Sequence, residues 1–307
     1  MRTLTCLLLF ASTAFLATTF ATAEEPKDNA PAAESKVKHR FIASLFRKGQ
    51  VAMIGEDGKI EWEIPAAHVQ DVWMLPNGNV LFSHGRGAKE YDLKKEKVVW
   101  EYKAEGKIEV HSCQPLPGGN VLVGECGTSR MVEVGRDGEI KQEIKLKTTV
   151  DNVHMQYRCC RKTAKGTYLV AFIGEGIVKV LDPDGQVMRT IVPEKDPKNG
   201  GSHAVVRLPN GNTLISSGYR KSVVEVDVDG KRVWSVGAEQ LPEDFKLNYI
   251  AGVQRLSNGN TVVANYAGKP QFFEVTPKHE VVWQVDDPQL SAVAGCLILD
   301  VEGEPLR

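Results

Sequence analysis

Four of the seven histidines, His68, His111, His154 and His203, stand at or just before the start of short apolar runs that recur along the chain. Imidazole can ligate a metal, move a proton near neutral pH or, once protonated, bind an anion, so a converging set has chemical potential. Each run leads into a turn of one type: Leu75-Pro-Asn-Gly-Asn79, Leu116-Pro-Gly-Gly-Asn120, the degenerate Thr163-Ala-Lys-Gly166 and Leu208-Pro-Asn-Gly-Asn212. Aligned on the turn glycine, His111 and His203 hold one position, with His68 two residues earlier and His154 four earlier. His111 and His203 are therefore the candidates for a shared ligand, a metal or a catalytic step. The alternative for each is a strand cap bonded to backbone.

A second set falls in the loops expected between second and third strands. Arg86, Arg130, Arg220 and Lys269, with Tyr219 and Tyr266 beside them, could hold a carboxylate, sulfate or phosphate, or could be solvated loop charge. Glu125 and Glu175 in equivalent loops would offset part of that field. Cys159-Cys160 falls in a first strand, where adjacent side chains point to opposite sides, which favours two separate buried thiols over a strained adjacent disulfide. No Cys-x-x-Cys and no Gly-x-Ser-x-Gly elbow occurs. Gly85-Arg-Gly87 and Gly174-Glu-Gly176 open no helix after a parallel strand and read as turns.

The elements that position these residues follow from the repeat. Further copies at Leu256-Ser-Asn-Gly-Asn260 and Leu299-Asp-Val-Glu-Gly303 complete a series with glycines about 41 to 48 residues apart. Asn-Gly supplies the positive φ angles of a tight hairpin. A second turn in each copy runs into a fourth strand, as in Asp57-Gly-Lys-Ile-Glu-Trp62 and Asp229-Gly-Lys-Arg-Val-Trp234. Trp62, Trp100, Trp234 and Trp283 recur there as packing residues. Four short antiparallel strands per repeat predict an all-β, six-bladed β-propeller. Phe41 to Ile64 lacks a first strand and Ala292 to Leu299 supplies one, so the N- and C-terminal strands share one blade and close the ring. Both glycine turns fall on the lower face. The upper face receives the irregular loops Lys147 to Asn152, Val192 to Gly201 and Gly237 to Asn248.

Residues 1–23 read as a signal peptide, with Arg2, an apolar run from Leu4 to Phe20 and Ala21-Thr-Ala23 as cleavage site. A polar, disordered linker follows over 24–38, then the propeller over 39–303 and a C-terminal tail over 304–307. A periplasmic or secreted location follows, with no membrane insertion after cleavage. The 38 basic and 39 acidic residues give no global field for nucleic acid. Five cysteines remain after cleavage, so a disulfide framework does not hold the fold.

The run from Ser202-His-Ala-Val-Val-Arg to Asn212-Thr-Leu-Ile-Ser216, followed by Val226-Asp-Val-Asp-Gly-Lys-Arg-Val-Trp234, resembles the repeats of bacterial extracytoplasmic propellers of the pyrroloquinoline-quinone-like and arylsulfotransferase-like type. The sulfotransferase resemblance implies a channel histidine as sulfated intermediate, at His203 and less well His111, with other His and Arg residues holding the sulfuryl oxygens. The quinone-dependent dehydrogenases are similar in Gly-Lys-x-x-Trp repeats and an adjacent Cys pair, matched by Cys159-Cys160; no cofactor is strongly implied. The expectation is an exported module binding a small molecule or a protein through its upper face. The alternative is a group-transfer or lyase enzyme using the histidines of the channel mouth.

Overall fold

The computed structural model describes residues 37–194, 201–290, 292–302 and 305–307. The expected signal peptide, most of the linker, part of the Val192 to Gly201 loop, and Gly303 lie outside the described residues. Six four-stranded antiparallel sheets form the blades of a β-propeller. Blade 1 covers 72–103, blade 2 109–145, blade 3 159–191, blade 4 202–236 and blade 5 249–285. Blade 6 is composite: Val293–Ile298 is its inner strand and pairs antiparallel with Phe41–Leu45, with Ile42 opposite Leu297 and Ala43 opposite Cys296. The only helices among the described residues are single 3-10 turns, and none is long and apolar enough to cross a membrane.

The inner turns differ in detail from the expectation. Gly78 and Gly211 take φ of 82° and 89°, but the asparagines before them do not take positive φ. Gly78 N–H donates to Leu75 O at 2.9 Å and Leu75 N–H to Asn79 O at 2.8 Å. This is a type I turn closed by a left-handed glycine, because Pro76 fixes the first central residue at negative φ and so excludes the mirror-image turn.

The turn asparagines also fasten blade to blade. Asn79, Asn212 and Asn260 each donate to a third-strand glutamate, Glu90, Glu225 and Glu274, at 2.6 Å. The other oxygen of each glutamate meets a cation of the next blade: Arg136 on Glu90, Arg255 on Glu225 and His39 on Glu274. Glu133 of blade 2 pairs with Lys162 of blade 3 in the same way. Trp100 and Trp234 donate their indole N–H to turn carbonyls of the following blade, Gly135 and Pro277. Apolar clusters fill each seam, as where Leu81 and Trp100 meet Val121 and Val123. Truncating a buried leucine of this kind costs about 2–5 kcal/mol.

Candidate functional site at the channel mouth

Five residues before the turn leucine, or the Thr163 that replaces it, each repeat has an equivalent position, Gln70, His111, Arg158, His203, Ala251 and Ala294, and all of these but Ala251 line one cavity. Blades 2, 4 and 5 carry a β-bulge there, between Val110 and Cys113, Ser202 and Val205, and Ile250 and Val253. Two residues then oppose one, which releases His111 and His203 from strict alternation and turns them to the axis. The backbone freed by the bulge is satisfied by serines: Ala204 N–H donates to Ser216 Oγ, and Ser83 Oγ contacts the His111 carbonyl at 3.4 Å. On the opposite side glycines let the backbones close up. A Cβ on Gly252 would lie 2.8 Å from Gly295 Cα.

Gln70, His111, Arg158 and His203 line one cavity of about 30 Å³, room for a single water-sized group. Arg158 is 6% exposed, and its Nη1 has no hydrogen-bond partner. Burial lowers its pKa, yet a guanidinium stays charged, and among the described residues no carboxylate forms a salt bridge with it. Burial and the Arg158 charge push His111 down to about 3 and His203 well below the usual imidazole range, so both are neutral at pH 7. His203 Nδ1 and the Tyr249 hydroxyl are also buried without partners. Unsatisfied buried polar atoms are costly, and these three point to a group that would complete them.

The wall above the cavity is aromatic. Tyr249 packs edge-on to His203 at 5.5 Å and to Tyr219 at 4.9 Å, and Tyr266 links it onward to Phe46. Gly201 and Gly218 make this packing possible, since a Cβ on either would enter the ring of Tyr219 or Tyr249. Opposite stands a polar cluster. Glu109 Oε2 is 2.7 Å from His154 Nδ1 and 3.3 Å from His111 Nε2, and the two imidazoles hold its carboxyl down at about 2.

Asp71, Arg161 and Arg307 also line the cavity. Arg161 grips Asp71 with both terminal nitrogens, at 2.8 and 3.2 Å. Arg307 reaches the same carboxylate at 3.2 Å, and both guanidiniums lie over Trp73, at 5.2 and 5.1 Å from its centroid.

His111 and His203 thus line one cavity, and His154 joins His111 through Glu109 rather than joining His203. His68 is exposed, edge-on to Phe46 at 5.7 Å, and does not line the cavity. Tyr219 and Tyr266 belong to the wall. Arg130 pairs with the buried Glu125 and with Glu143, and Arg86 donates to the Gly106 carbonyl, so both stabilise their loops. Arg220 is exposed in the same 3-10 turn as Tyr219. Lys269 is 3.6 Å from Asp286, and Glu175 accepts from Thr148 and pairs with Lys179. Cys159 packs toward blade 4 and Cys160 toward blade 2, both as free thiols. Arg158, Tyr249 and Glu109 were not among the candidates read from sequence. The signal for Arg158 was the register itself: the alignment that equates His111 with His203 also equates both with Arg158.

No curated protein matches the chain. Among solved structures, a protein of unknown function from Bacteroides caccae superimposes with TM-score 0.76 at 25% identity, over 88% of this chain and 100% of that one. Virginiamycin B lyase from Staphylococcus aureus, a catalytically inactive variant with quinupristin, gives 0.61 at 13% identity over 84% and 88%. A streptogramin B lyase gives 0.62 at 10% identity over 85% and 87%. These lyases share the fold. Residues 36–241, well over half of the chain, match the family described as Mal s 1 allergenic protein-like, and the protein is therefore a six-bladed propeller of that family.

Proposed function

We propose that the upper mouth binds a small ligand carrying an oxyanion, with the anionic end on Arg158 and an apolar body against Tyr219, Tyr249 and Tyr266. The observation that carries this reading is the buried Arg158 guanidinium, which lines the cavity and keeps one Nη without a hydrogen-bond partner. A carboxylate, sulfate or phosphate would complete it through charge-assisted bonds, with the Tyr249 hydroxyl as a second donor. The cavity volume admits only the tip of such a group, so the ligand body rests in the mouth above. The signal-like segment 1–23 supports an exported protein, and a mature N-terminus at Glu24 in the exported form would test that.

A second reading is favoured by the depressed pKa values of His111 and His203. A neutral imidazole beside a guanidinium could take a proton while the charge stabilises a developing oxyanion, the arrangement of a lyase or group-transfer site. Binding and turnover are separated by one experiment. Calorimetric titration with sulfate, benzoate and nitrophenyl sulfate should give one site in the parent, weakened about tenfold or more in Arg158→Gln and less in Arg158→Lys. Conversion of the aryl sulfate would favour the second reading. Absence of binding in the parent, or equal binding in Arg158→Gln, overturns the first.

A further inference from the structure

We infer that Glu109, His111 and His154 form a binding site for one divalent transition-metal ion of the zinc type, on the wall of the mouth. The site stands on geometry. One ligand atom from each residue lies within 4.8 Å of the other two. The Glu109–His111 separation of 3.3 Å is already the edge of a tetrahedral site, which for metal–ligand bonds of about 2.0–2.1 Å is about 3.4 Å. The 2.7 Å contact between Glu109 and His154 must open by less than an ångström, and His154, half exposed on its 3-10 turn, has room to do so.

The second observation is His111 itself. The residue is 5% exposed, and its buried Nε2 makes no hydrogen bond. A buried ring nitrogen that faces a carboxylate at 3.3 Å and a second imidazole, yet makes no hydrogen bond, is completed by a cation that all three can share. Two nitrogens and one oxygen suit zinc, cobalt or nickel and disfavour magnesium or calcium, which prefer all-oxygen shells. Three protein ligands leave a fourth position open toward the mouth.

The supporting residue is also in place. Gln70 Nε2 lies 2.7 Å from His111 Nδ1. For Nε2 to bind metal, the imidazole proton must sit on Nδ1, and Gln70 then offers its Oε1 as acceptor after a half-turn of the amide. That would fix the ring in the tautomer a ligand needs, as second-sphere acceptors do in metal sites.

The test uses the full chain, stripped of metal and titrated with zinc in buffer free of other anionic ligands. One zinc should bind per chain, with magnesium giving no heat. His154→Ala and Glu109→Gln should each weaken zinc about 100-fold, while His279→Ala, a change outside the cluster, should not. His154 is a surface side chain, so folding of its variant is secured and checked by circular dichroism. Cobalt should give visible absorption bands of a four- or five-coordinate ion, lost in His154→Ala. Arg158→Gln separates this site from the anion site: it should remove anion binding and strengthen zinc severalfold, because a repelling charge is gone. Absence of zinc binding in the parent, or binding unchanged in both ligand variants, overturns the metal site and leaves the anion reading standing.

Discussion

His39 Nε2 lies 2.7 Å from Glu274 Oε2, at the one seam where the chain closes its own ring. The equivalent glutamates Glu90, Glu133 and Glu225 meet Arg136, Lys162 and Arg255, guanidinium and ammonium groups in place of an imidazole. The closing seam alone of these four uses a residue type that titrates near neutrality.

Burial by itself would lower the His39 pKa, but bonds to Glu274 and Asp300 outweigh it and the net shift is upward. A raised pKa means that the folded state holds the proton more tightly. The stabilisation is complete below the unfolded value of about 6.5 and is lost as pH rises through the folded value. Urea unfolding of the parent and His39→Gln should differ by about 2–3 kcal/mol at pH 5.5 and by less at pH 8.5. A constant difference across that range would refute titration at the seam.

His111 and His203 shift the other way. With pKa values far below 6.5 in the folded state they bind protons only on unfolding, so they favour unfolding as pH falls below about 6.5. Nitrogen chemical shifts should find both rings neutral at pH 5, when an exposed imidazole is protonated. Two protonated rings at that pH would contradict the burial described here.

Asp71 pairs with two buried guanidiniums at once. Asp71→Asn should therefore destabilise by about 3–5 kcal/mol, the range for breaking a buried ion pair from one side. Adding Arg161→Met should recover part of that loss. Thermal melts of the parent, the single and the double variant check both signs, and an Asp71→Asn melt at the parental temperature would remove the cluster from the stability account.

Deleting 292–307 removes the inner strand of blade 6 and leaves Phe41–Leu45 without its partner. The expected result is loss of cooperative melting and association through the exposed edge, visible by calorimetry and light scattering. A monomer melting as the parent does would argue against closure through this strand.

The architecture was legible because each repeat writes its turns, its fourth-strand tryptophan and its strand count in local chemistry. The composite blade could be counted from Phe41 and Ala292 alone. The site was legible only in part. Attention to residue type found His111 and His203, but Arg158 shares their position and carries the charge, and a chain read for imidazoles passes over it. Glu109 and His154 come together through a loop whose path the repeat does not encode. Arg130 shows the converse: as an isolated loop cation it invites a ligand, and only the fold brings Glu125 and Glu143 to it. The turn geometry was misjudged because Asn-Gly was weighed without Pro76, which decides the sign of φ.

Arg307, laid over Trp73 and bonded to Asp71, packs a C-terminal side chain into the channel lining beside the histidines. Under the proposed reading, a molecule held against Arg158 would come and go by the upper mouth. Its lifetime there is then governed by Tyr219, Tyr266 and the His154 turn at the rim, and a larger body laid over that rim would seal in whatever had already arrived.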